Sequence, residues 1–286
     1  MKKTLTFTLF ILFIEIIITE KQEKIFKCGV GHYKMDPPIP GDEIPINYSS
    51  PFYRRRLQDI DNDGYKKFNI YLDFENLKEE IKIYKLEKNS DSLINCLKKA
   101  ANILMSLLKV KPLSYNYWIR NYKLTDNQIY YWEKEKFGDE AYKKNKTLLS
   151  LGIDLVIFSR FENFGAVSNS STLASARAFL YDIESYKPIG GIMNINPVID
   201  FSKKGIEEYL ISIFVHEFTH ILGFSSYFFE KFKFFFSKID KFGINRLYLN
   251  STKVIRVAKK YFNCSDIDGI ELENDGSTGT IGSHWE

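Results

Sequence analysis

The sequence predicts an α+β fold in which a sheet packs against a long buried helix. Two observations carry that prediction. Strand-like segments at 67–73 (KFNIYLD), 151–158, 172–182 and 189–195 are interspersed with two helical patterns, Ser92–Val110 and Ile206–Phe224. The second pattern is apolar on nearly every face, at Tyr209, Leu210, Ile213, Phe214, Val215, Phe218, Ile221 and Leu222. A helix of that kind belongs inside a core.

Composition narrows the classes before any motif is read. The chain has 286 residues and 44% hydrophobic content, enough for one large domain or two modest ones. Its 40 Lys+Arg against 36 Asp+Glu leave a net charge of +4, spread along the chain, which gives no case for a nucleic-acid partner. The three cysteines, Cys28, Cys96 and Cys264, form no CxxC pair, and an odd number leaves one thiol over in a secreted chain.

Taken in order, residues 1–19 have the form of a secretory signal peptide. Lys2 and Lys3 precede an apolar run from Leu5 to Ile18 that is broken by Glu15, too short and too polar for a comfortable membrane span. Cleavage is expected near Thr19–Glu20, with an uncleaved anchor as the alternative. Sequons at Asn47, Asn145, Asn169, Asn250 and Asn263 fit passage through a secretory pathway. The chain is therefore expected outside the cell, at its surface or in a vesicle lumen. Residues 20–65 read as an irregular, pro-segment-like leader, because Asp36-Pro37-Pro38-Ile39-Pro40-Gly41 and Ile44-Pro45 cannot continue a helix or a central strand. Tyr53-Arg54-Arg55-Arg56 is a candidate processing site or a solvated loop. The globular domain is expected over 66–286.

Within it, Ser92–Val110 places Leu93, Cys96, Leu97, Ala100, Ile103, Leu104, Leu107 and Leu108 at amphipathic spacing, as for a helix lying on the sheet. Residues 114–148 carry no clear pattern. Leu151–Phe158 reads as a buried strand, and Thr172–Asp182 and Ile189–Ile195 as two more, with Gly190-Gly191 marking a bulge or a close backbone approach. The aromatic run Phe228–Phe236 reads as core or as a lid.

The long helix ends in His216-Glu217-Phe218-Thr219-His220-Ile221-Leu222-Gly223, an HExxH motif. Residues four apart share a helix face, so His216 and His220 can direct their imidazoles at one Zn²⁺. Glu217 lies beside that face, where a carboxylate can accept a proton from water. Inside an apolar helix such a trio needs partners, since an unsatisfied buried polar group costs about 1–3 kcal/mol. Gly223 allows the helix to stop and the chain to turn under the metal. A zinc peptidase takes three protein ligands and leaves one position open. The short HExxHxxGxxH spacing would put the third at 226, which is Ser226. Of the four histidines, His32, His216, His220 and His284, only His284 lies downstream, and it ranks ahead of the carboxylates Glu230 and Asp240.

Gly269-Ile270-Glu271-Leu272-Glu273-Asn274 and Gly279-Thr280-Ile281-Gly282-Ser283-His284-Trp285-Glu286 resemble the leishmanolysin family of metzincin metallopeptidases. In that family a long insertion separates the motif glycine from a third histidine in a Gly-Ser-His-Trp context. Asp154–Phe158, Leu173-Ala174-Ser175-Ala176, Pro188-Ile189-Gly190-Gly191 and Asn194-Ile195-Asn196-Pro197 resemble the family's strands before the helix. The resemblance implies a metzincin-like peptidase domain with a mixed sheet and a buried active-site helix. It implies one Zn²⁺ per chain held by His216, His220 and His284, with Glu217 as catalytic base and polypeptides as substrates aligned along a sheet edge. It also implies membrane or cell-surface association. Cys28 lies where the family's pro-segment carries a cysteine able to occupy the open zinc position; the alternative is an ordinary disulfide. Two departures stand out. No cysteine lies between Cys96 and Cys264, and none of Met1, Met35, Met105 and Met193 follows His284 to form a methionine turn. The expectation is a C-terminally truncated member, with a catalytically inactive secreted or surface binding protein that retains the zinc ligands as the alternative to a metalloendopeptidase. A structural module with an accidental HExxH is the weakest reading.

Overall fold

The computed structural model describes residues 60–113, 152–162, 164, 172–182, 184–201, 203–273 and 282–284, with the backbone of short strands at 39–40, 43–44, 116–117, 122–125 and 128–131. In chain order the strands are β1 (Ile39–Pro40), β2 (Glu43–Ile44), β3 (Lys66–Lys67), β4 (Ile70–Asp73), β5 (Lys109–Val110), β6 (Asn116–Tyr117), β7 (Tyr122–Thr125), β8 (Gln128–Tyr131), β9 (Leu155–Phe161), β10 (Ala174–Tyr181), β11 (Pro188–Ile195), β12 (Phe235–Ile239), β13 (Asn245–Leu249) and β14 (Ile270–Glu271). The α-helices are α1 (Glu75–Ile83), α2 (Ser90–Leu107), α3 (Ile206–Ile221), α4 (Ser226–Phe232) and α5 (Thr252–Tyr261). The expected signal peptide, Cys28, the Arg54–Arg56 run and the sequons at Asn47, Asn145 and Asn169 lie outside the described residues.

The main sheet has the order β1-β10-β11-β9-β4 and is mixed. β4, β9 and β11 run parallel, whereas β10 is antiparallel to β11. All seven residues of β9 and all eight of β11 are buried, as expected for strands covered on both faces. One face packs on α1, α2 and α3 through Leu77, Leu97, Leu104, Ile157, Met193, Phe214 and Phe218. The other buries Val156, Phe158, Phe179, Ile189 and Ile192. A smaller cluster of Phe224, Phe229, Leu249, Val254 and Leu272 holds the part beyond α3.

Several sequence expectations shift by a physical cause. The 67–73 strand splits into β3 and β4, because the chain changes partner from β5 to β9 between them. The helix expected to reach Val110 stops at Leu107: Leu108 is extended, and Lys109–Val110 pair with Lys66–Lys67. The leader is not wholly irregular. Ile39 and Pro40 pair in parallel with Leu180 and Tyr181 along the outer edge of β10. Proline has no N–H to donate, and only an edge position tolerates that loss. The run Phe228–Phe236 divides into α4, which buries Phe228 and Phe229, and strand β12.

At Gly191 α3 packs tightly against the sheet. A Cβ there would lie 2.2 Å from Ile221 Cγ2 and 2.9 Å from its Cδ1. The close approach expected at Gly190-Gly191 is therefore real, and it falls one residue after His220. Gly191→Ala should destabilise the fold by about 1–3 kcal/mol, the usual cost of overpacking a close-packed core. A urea unfolding midpoint equal to the parent's would show that α3 can shift away.

Candidate metal centre

α3 begins at Gly205 with Glu207 and Glu208 in its first turn, where carboxylates suit the positive end of the helix dipole. Its other end is closed by Gly223. The Phe224 N–H donates to the Thr219 carbonyl at 3.1 Å and the Gly223 N–H to that of His220 at 3.1 Å, the Schellman pattern. Gly223 adopts φ +102°, a conformation a side chain would strain, so the turn requires glycine.

That turn has a chemical consequence. It folds the Phe224 carbonyl back to 2.9 Å from His220 Nδ1. A carbonyl can only accept, so Nδ1 carries the proton and the lone pair is left on Nε2. His220 Nε2 stands 3.2 Å from His216 Nε2. Two nitrogens bound tetrahedrally to one zinc at about 2.0–2.1 Å would be separated by about 3.3 Å.

His284 completes the group, 64 residues beyond His220 in the numbering yet in ring contact with it. Its ring stacks on His216 at 5.3 Å with an interplanar angle of 10°, and meets His220 edge-on at 4.9 Å. One ligand nitrogen from each of the three histidines lies within 4.8 Å of the others. Burial and neighbouring imidazoles push His216 well below the ordinary histidine value and His220 down to about 3. Both are thus neutral at physiological pH, the state in which imidazole binds metal. Three convergent imidazoles of this kind suit zinc.

The structure thus brings together His216, His220 and His284, and places Glu217, fully buried, next to His216 on α3. It separates the rival carboxylates from this role. Asp240 accepts from the Phe242 and Ile244 N–H groups and from Arg246 Nε, forming the turn between β12 and β13. Glu230 is exposed on α4. Sequence reasoning missed two neighbours: the Phe224 carbonyl, which the glycine after the motif signals, and Glu273, whose Oε2 lies 3.6 Å from His284 Nδ1 and which no local pattern marks.

A buried helix on a mixed sheet thus carries two histidines that meet a third from a distant segment, a group that could hold a metal ion. The chain belongs to the leishmanolysin family of zinc metallopeptidases, whose sequence pattern matches residues 84–286. It is 31% identical over 107 residues to a leishmanolysin homolog of Crithidia fasciculata, a stretch covering 35% of this chain and 15% of that protein. It is 28% identical over 99 residues to a leishmanolysin of Leishmania major and 27% over 99 residues to one of Leishmania chagasi, covering 34% of this chain and 16% of each relative. The matched stretch therefore spans about one-sixth of the length of these relatives.

Proposed function

We propose that this chain is a zinc-dependent endopeptidase with His216, His220 and His284 as ligands and Glu217 as general base. The observation that carries the reading is the convergence of three imidazole nitrogens within 4.8 Å of one another, two of them from the helix that bears Glu217. Bound Zn²⁺ would supply a Lewis acid that polarises the scissile carbonyl and lowers the pKa of water. Glu217 accepts the water's proton and passes it to the leaving amine. The Phe224 carbonyl holds His220 in the tautomer that presents Nε2. Extended polypeptides are the substrates, aligned by strand addition along the edge of β10, the antiparallel strand that packs beside α3. Hydrolysis of unfolded casein, blocked by a chelator and restored by added zinc, tests the reading; chelator-resistant hydrolysis would overturn it.

The edge of β10 is partly taken by β1, so substrate has to displace leader residues Ile39–Pro40. On the same reading Cys28 supplies a thiolate to the open zinc position, a good ligand that displaces water. Cys28→Ala in the unprocessed chain should then raise the rate of casein hydrolysis. Equal rates would leave Cys28 to a disulfide. The N-terminal charge and hydropathy pattern supports a location for this activity in the secretory pathway, at the cell surface or outside the cell. Among the described residues, no helix is long and apolar enough to cross a membrane.

A further inference from the structure

We propose that Glu273 is a positioning residue for the metal centre, orienting the His284 imidazole through Nδ1 and holding the His284 backbone in place. The proposal rests on the zinc reading above and adds a residue to it. Three observations converge on Glu273. Its own position is fixed by the strand before it: Tyr248 and Leu249 pair with Glu271 and Ile270, and the buried Leu272 donates its N–H to the Leu247 carbonyl at 2.9 Å. Its backbone clasps the ligand segment on both sides, the Glu273 N–H donating to the His284 carbonyl at 2.9 Å and the Gly282 N–H to the Glu273 carbonyl at 2.9 Å. Its carboxylate Oε2 lies 3.6 Å from His284 Nδ1, close enough for the carboxylate charge to act on that ring nitrogen.

A carboxylate accepts and does not donate, so it favours the proton on Nδ1 and leaves the Nε2 lone pair for the metal. His220 meets the same requirement with a neutral acceptor, the Phe224 carbonyl. Glu273 differs in being charged, and a charged acceptor also raises the basicity of the imidazole it faces. The need for such a device at His284 follows from the chain. His216 and His220 are spaced by one helix, whereas His284 comes from a separate segment whose described residues, 282–284, are a turn.

Zinc affinity of the full chain, measured by competition with a chromophoric chelator, tests the proposal apart from activity. Glu273→Ala should weaken zinc binding by about 10–100-fold, the usual loss for an outer-shell partner of a ligating histidine. Glu273→Gln keeps the size and an acceptor but loses the charge, so it should fall between Ala and the parent. The melting temperature of the metal-free Gln variant should match the parent's, a result a merely structural role would not give. Unchanged zinc affinity in the Gln and Ala variants would overturn the proposal, as would a Gln variant whose metal-free fold is weakened along with its zinc binding. His284→Ala separates the two levels. If it too bound zinc like the parent, the metal centre itself would be misassigned; if it lost zinc while both Glu273 variants kept it, only the role of Glu273 would fall.

Discussion

Replacing Glu217 by glutamine should leave zinc bound and slow casein hydrolysis by about 10²–10⁴-fold, the range contributed by a positioned acid–base group. That loss corresponds to about 2.7–5.5 kcal/mol of transition-state stabilisation. The substitution keeps the side-chain size at a fully buried site, so the packing of α3 around Phe214 and Phe218 is preserved. An amide cannot accept the proton that the carboxylate takes, and the defect should appear in kcat more than in KM. A Glu217→Gln chain loaded with zinc and hydrolysing casein at the parent rate would remove Glu217 from the mechanism.

His220→Ala should abolish stoichiometric zinc in the dialysed protein and, with it, proteolysis. A direct ligand contributes more than an outer-shell partner, so the affinity loss should exceed about 100-fold. His220 is only 2% exposed and bonded to Phe224, so the variant also leaves a small cavity and frees the Phe224 carbonyl. Circular dichroism of the metal-free forms separates that cost from loss of the metal. Retention of one zinc per chain in His220→Ala would mean that the Nε2 pair 3.2 Å apart is not the binding point.

Much of the metal centre could be read from the sequence, because helix periodicity turns the spacing of His216 and His220 directly into geometry. Gly223 likewise announced its turn, since few residues other than glycine enter a left-handed conformation. The three central strands were legible because they are largely buried and so are dominated by apolar residues. Other features left no local trace. α1 buries only Leu77 and Ile81, too few apolar positions to stand out from its lysines and glutamates. β1 exists because β10 offers an open edge, and its own sequence, containing Pro40, argues against a strand. The β12–β13 hairpin depends on Asp240 gathering the N–H groups of Phe242 and Ile244, which is a property of the folded turn. Glu273 and His284 are joined by hydrogen bonds between two separate segments, so no spacing rule could have paired them. Naming His284 as a candidate third ligand needed the elimination of other histidines and the family resemblance, and the structure places its ring beside those of His216 and His220.

Every step of the proposed chemistry depends on a single zinc held by these three imidazoles. Metal analysis combined with zinc X-ray absorption of the purified chain tests it most directly. One zinc per chain is expected, with three imidazole nitrogens at about 2.0–2.1 Å and a fourth ligand that is a water oxygen, or the Cys28 sulfur in the unprocessed form. Zinc well below one per chain, or a shell with fewer than three imidazoles, would contradict it.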